Sequence, residues 1–127
     1  MLPPGSPVIA VGQPTGTGVG RGRVHIDVDD ALDAIDAGDD IVLVLEMSSP
    51  ADVKAMLRSA AVLTLRGGTE SHAAVITRSA GIPSVLAVEG LAIGDGFVVM
   101  GDHRLEVGDE LVVDGTNGRI ARPVTDA

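Results

Sequence analysis

Three aliphatic runs punctuate the middle of the chain, at residues 41–45, 61–65 and 84–88. Each is apolar at nearly every position and lacks the alternation of a strand with one wet face. Such runs predict strands buried on both sides. Between the first two, Ser49-Pro50 has the form of a helix start, with Ser as N-cap, Pro at the first helical position and Asp52 in the first turn. Val53, Met56, Leu57 and Ala60 predict the inner face of that helix. Between the second and third runs, residues 71–80 predict another helix, which Gly81 stops and Pro83 prevents from resuming. Upstream, Val8–Val11 is a short strand, residues 13–22 read as a Gly-dense loop, and residues 23–27 alternate like a strand. Asp29 and Asp30 predict the cap of a short helix with Ala31, Leu32 and Ile35 on one face, ended by Gly38. After Gly94 the pattern changes to short strands at 97–100, 104–107, 110–113 and 119–122. Asp114-Gly115-Thr116-Asn117-Gly118 predicts a hairpin turn, since Gly and Asn tolerate positive φ.

Strand–helix–strand–helix–strand favours parallel pairing with right-handed crossovers, and the flanks favour antiparallel pairing. The expected class is mixed α/β, with a β-rich layer beside a βαβ layer. The 127 residues fit one domain. Residues 8–122 are expected to form it, with 1–7 a flexible Pro- and Gly-rich lead-in and 123–127 a tail.

Composition narrows the function. There is one Phe and no Trp or Tyr, so the core must be aliphatic and no aromatic platform exists for stacking bases. A net charge of −9 repels a phosphate backbone, which speaks against nucleic acid and suggests basic partners. The absence of Cys excludes disulfide and thiol chemistry. The first seven residues have neither the basic nor the apolar segment of a signal peptide. No apolar run is long enough to span a bilayer, so a soluble, cytoplasmic protein is expected.

The chemistry is expected at Arg66-Gly67-Gly68-Thr69-Glu70-Ser71-His72-Ala73-Ala74, which joins a buried strand to a helix. A Gly pair lets the backbone turn sharply and clears side chains from the helix mouth. His72 then falls in the first turn, where free backbone N–H groups and the positive end of the helix dipole welcome an anion. An imidazole is a competent nucleophile near neutral pH. Thr69 and Ser71 offer hydroxyls and Arg66 a cation. His72 is therefore the candidate nucleophile and carrier of a phosphoryl group, with Arg66, Thr69, Ser71 and the backbone near Gly68 binding the phosphate. Ala73 and Ala74 leave the ring accessible, and Val75 and Ile76 are expected to hold the helix to the sheet.

Other motifs resolve into structural roles. The Gly16–Gly22 stretch fails the G-x-G-x-x-G spacing, because position 21 is Arg, and no helix follows. Ser71 beside His72 lacks a nucleophile elbow. His25, His72 and His103 have no metal-ligand spacing, so no metal is expected, and His25 and His103 read as surface residues. Asp27, Asp29, Asp30, Asp33 and Asp36 read as a solvated helix face. No Walker loop is present.

The run from Thr64 to Gly68, then Ser71-His72-Ala73-Ala74-Val75-Ile76, Arg78 and Gly81-Ile82-Pro83, resembles the phosphohistidine domain of phosphoenolpyruvate-utilising enzymes. The segment Glu46-Met47-Ser48-Ser49-Pro50-Ala51-Asp52 looks like the dikinase branch, and residues 108–118 are similar to the family's closing strand pair. The resemblance covers about residues 8–122. It implies the swivelling β/β/α fold and a His72 loaded at one partner site and unloaded at another. It further implies that an ATP-grasp nucleotide-binding protein and a TIM-barrel protein for phosphoenolpyruvate or pyruvate act in trans on a stand-alone carrier. ATP, phosphoenolpyruvate and Mg²⁺ would then be held on those partners and no cofactor in this chain. Two other readings remain: a regulatory or interaction module that kept the fold, and the swivelling subunit of an aconitase-like dehydratase, against which the Ser-His-Ala-Ala motif argues.

Glu70 departs from the pattern, since dikinases carry a regulated Thr two residues before the His. A carboxylate about 4 Å from a phosphohistidine repels it by about 1 kcal/mol in water and more if desolvated. Alternatively, Glu70 is a first-turn helix acid facing solvent. A damped carrier predicts that Glu70→Thr raises the rate of phosphohistidine formation. An unchanged rate favours the solvent-facing carboxylate.

Overall fold

The computed structural model describes residues 2, 5–15, 18–67 and 71–123. The strands are β1 (Val8–Val11), β2 (Gln13–Pro14), β3 (Val19–His25), β4 (Ile41–Leu45), β5 (Ala61–Thr64), β6 (Ser84–Leu86), β7 (Leu91–Ile93), β8 (Phe97–Met100), β9 (His103–Glu106), β10 (Glu110–Asp114) and β11 (Arg119–Ala121). The helices are α1 (Val28–Asp36), α2 (Val53–Arg58), preceded by a 3₁₀ turn at Pro50–Asp52, and α3 (His72–Ala80). An eight-stranded sheet has the order β1-β11-β10-β3-β4-β5-β6-β2, and β7-β8-β9 form a second sheet. Strands β3, β4, β5 and β6 run parallel, joined through α1, α2 and α3, while every pairing at the flanks is antiparallel.

The aliphatic runs explain the layering. All five residues of β4 and all four of β5 are buried. Val42, Val44, Ala61, Leu63 and Val85 point to one face, where they meet Val98, Met100 and Leu105 of the small sheet. Ile41, Leu43, Leu45, Val62 and Leu86 point to the other, against Ala31, Ala55, Met56, Ala73 and Ala74 of the helices. The result is a small sheet, a large sheet and a helical layer, the β/β/α arrangement. Among the described residues, no helix is long and apolar enough to cross a membrane.

Several expectations need correction. The stretch 13–22 is not a loop throughout, because β2 occupies Gln13–Pro14 and β3 begins at Val19. The glycines of β3 serve close packing: a Cβ on Gly20 would strike the Ala60 carbonyl, and one on Gly22 would lie 2.8 Å from Asp40 O. Helix α1 is capped by Asp27, whose Oδ1 accepts from Asp30 N at 3.0 Å, while Asp29 and Asp30 sit inside the first turn. On α2 the buried residues are Ala55 and Met56, and Leu57 is exposed. The 3₁₀ turn rotates about 120° per residue rather than 100°, which shifts the inner face from its α-helical register. Strand β6 stops at Leu86 because Ala87 takes the left-handed conformation, with φ 49°. Strand β7 has too short an apolar run to stand out in the pattern. His103 is exposed, but His25 is only partly so, and its enclosed Nδ1 has no hydrogen-bond partner among the described residues.

The β10–β11 turn is built around Asp114, which is 1% exposed. Its Oδ1 accepts from the N–H groups of Thr116 and Asn117, both at 3.0 Å, and its Oδ2 from Asn117 Nδ2 at 2.9 Å. Burial pushes this carboxyl upward, but the Asn117 amide and the two backbone donors outweigh it and hold the pKa below 3.8. A depressed native pKa adds stability that is present above the unfolded value and lost as pH falls through the native one. Asp114→Asn should therefore cost about 2 kcal/mol in urea unfolding near pH 6. The gap to the native chain should narrow below pH 3.8.

Candidate functional site

Parallel strands deliver their carboxyl ends to one edge of the sheet, and the candidate residues gather there. The pairing of β4 with β5 continues past both strands, with Leu65 N on Leu45 O at 3.0 Å and Arg66 N on Glu46 O at 2.8 Å. The chain therefore leaves both strands side by side, from Glu46 toward α2 and from Leu65 toward α3.

Helix α3 starts where the motif implied. Ser71 is its N-cap, with an extended backbone, and its Oγ accepts from Ala74 N at 3.2 Å. The N–H groups of His72 and Ala73 lie in the first turn, where a helix supplies no internal acceptor. Gly67 makes this start possible: its φ is +99°, and a Cβ there would come within 3.0 Å of Ser71 Cβ. Gly81 closes the helix in the left-handed conformation. Ala73, Ala74 and Thr77 are the buried residues that seat α3, with Thr77 Oγ1 accepting from Ser84 Oγ of β6 at 2.9 Å. Val75 is 53% exposed and does not help hold the helix, because it lies off the face defined by 73, 74 and 77. Ile76 does pack against the helical core.

His72 is exposed at the first position of α3. Its Nδ1 lies 2.8 Å from Ser48 Oγ, on the neighbouring loop. Its Nε2 makes no hydrogen bond among the described residues. Ser48 was not among the site residues expected from sequence. The only local signal is its place in the Ser-Ser-Pro helix start, which gives no hint of contact 24 positions away. The next Ser holds that turn, with Ser49 N donating to Asp52 Oδ2 at 2.8 Å. Arg66 is exposed, and its Nε meets Glu46 Oε1 at 3.3 Å. Gly68, Thr69 and Glu70 lie outside the described residues. Among the described residues, no three His, Asp or Glu side chains gather as metal ligands.

A family model described as "PEP-utilising enzyme, mobile domain" matches residues 37–118. The chain belongs to this mobile-domain family of phosphoenolpyruvate-utilising enzymes. Relatives include the pyruvate, phosphate dikinase of Rhizobium meliloti, 30% identical over 117 residues, which span 91% of this chain and 13% of that protein. A probable phosphoenolpyruvate synthase of Pyrococcus abyssi is 36% identical over 118 residues, or 92% of this chain and 13% of that protein. The chain thus spans about 13% of the length of these relatives. The solution structure of Enzyme I aligns with 64% of this chain and 29% of its own, at 26% identity and a TM-score of 0.45.

The left-handed backbone and tight packing at Gly67 set its replacement cost. Gly67→Ala should lower stability by about 1–2 kcal/mol in chemical denaturation. It should also shift the amide resonances of Ser71 and Ala74 as the cap is displaced.

Proposed function

We propose that this chain carries a phosphoryl group on His72, loading at one active site and unloading at another. The observation that carries the reading is an exposed imidazole at a helix start, with Nδ1 engaged by Ser48 and Nε2 open. In this reading the ring takes the tautomer in which Nδ1–H donates to Ser48 Oγ, which leaves the lone pair on Nε2. That lone pair attacks the phosphorus of the donor. The new N–P bond forms as the P–O bond to the leaving group breaks, and the leaving oxygen departs with the electron pair. The ring becomes cationic while Nδ1 keeps its proton, which prepares the N–P bond for onward transfer. The first-turn N–H groups, Ser71, Arg66, Thr69 and the backbone near Gly68 receive the phosphoryl oxygens.

The fold supports a carrier mounted at one corner. Strands β1 and β11 pair at the edge of the large sheet, and Arg122 N donates to Pro7 O at 3.2 Å. The first and last strands thus lie side by side, four to five strand spacings from β5, an arm of about 19–24 Å. A swing about that corner moves His72 through a distance comparable to the arm.

The stations are an ATP-grasp domain that charges the ring and a TIM-barrel domain that exchanges it with phosphoenolpyruvate or pyruvate. They lie in the same polypeptide or another, each with its own Mg²⁺, in the cytoplasm where these donors are found. The test is incubation with those domains and labelled donor. The expected product carries acid-labile, base-stable label that His72→Ala abolishes. Label that survives His72→Ala overturns the assignment. Ser48→Ala should slow labelling roughly 2- to 10-fold, the worth of one hydrogen bond, with little change in stability.

A further inference from the structure

We propose that Glu46 competes with the phosphoryl group for Arg66. It holds the guanidinium while His72 is bare and yields it when the ring is loaded. This inference rests on the carrier reading and adds a means of regulating the same site.

A chain of contacts and covalent neighbours links His72 to the Glu46–Arg66 ion pair from both sides. His72 meets Ser48 across 2.8 Å, and Ser48 is two residues from Glu46. The Glu46 carboxylate meets the Arg66 guanidinium, and Arg66 adjoins Gly67, whose α-carbon packs against Ser71. Ser71 caps the helix that begins with His72. Arg66 is the cation of this set and Glu46 its carboxylate.

The ion pair is built to be broken. It rests on one contact through Nε, at 3.3 Å, between side chains 65% and 67% exposed. The remaining guanidinium donors make no bond among the described residues. Meanwhile the backbones stay tied by Arg66 N on Glu46 O at 2.8 Å, so the side chains can part without moving the loops. A phosphoryl group brings close to two negative charges and three strong acceptor oxygens, a better match to the guanidinium fork than one carboxylate contact. In the bare state Glu46 neutralises Arg66 and keeps free anions out of the site. After loading, Glu46 stands ready to reclaim Arg66, which favours release to the next acceptor.

The test uses inorganic phosphate as the probe, titrated into the whole unmodified chain and followed by the Arg66 Nε–H resonance and the His72 ring signals. Glu46→Gln should bind phosphate roughly 2- to 5-fold more tightly than the native chain, the worth of an exposed ion pair. Glu46→Asp should restore the weaker binding. On an Arg66→Gln background the gain from Glu46→Gln should vanish. Equal or weaker binding by Glu46→Gln, or a gain that persists without Arg66, overturns the proposal. His72 is not phosphorylated in this experiment, so its result is independent of the labelling test, which alone decides the carrier reading.

Discussion

Burial of the parallel strands on both faces is the constraint from which the rest follows. Strand β4 has no exposed residue and β5 none, so each face of the sheet must be covered. The small sheet covers one and the three helices the other. Because the helices serve as parallel crossovers, each starts near the carboxyl edge. The beginning of α3, the loop after β4 and the loop after β5 are thereby brought to a single edge.

The site combines a hard support with soft contacts. Ala73 and Ala74, which follow His72 on α3, are buried against the helical face of the sheet. The site's other side chains are held by single hydrogen bonds or an exposed ion pair, each worth little against water. Such an arrangement keeps the imidazole in place while letting its charged neighbours exchange partners. The net charge of −9 has a related consequence for the proposed carrier, since a phosphoryl group on it would make the chain more acidic still. Docking sites for it would favour basic surfaces, where long-range attraction also speeds encounter.

The strands and helices of the middle were legible because their signals are local and strong. Aliphatic runs, Ser-Pro at a helix start and Gly81 at a helix end each act within a few residues. The departures have two origins, a partner distant in sequence at Gly20, Gly22 and Ala87, and the rotational phase of the helix at Leu57 and Val75. Gly20 and Gly22 look like loop residues until Ala60 and Asp40 are seen pressing on their α-carbons. Leu57 and Val75 look like core residues until the turns before them set the helix phase. Ala87 looks like strand, yet its left-handed backbone presents its N–H to Thr64 Oγ1 at 3.4 Å.

By itself the sequence determined that His72 would open a helix behind a glycine turn, because capping, glycine conformation and helix phase are properties of neighbours along the chain. It determined too that this helix would follow a doubly buried strand, since aliphatic runs have few other places to go. Only the tertiary structure decided that Ser48 would meet the ring and that Glu46 would hold Arg66. Those pairs are 24 and 20 residues apart, and what joins them is the β4–β5 register, with Leu45 opposite Thr64. That register arises from packing both strand faces at once, a balance that no short stretch of residues contains.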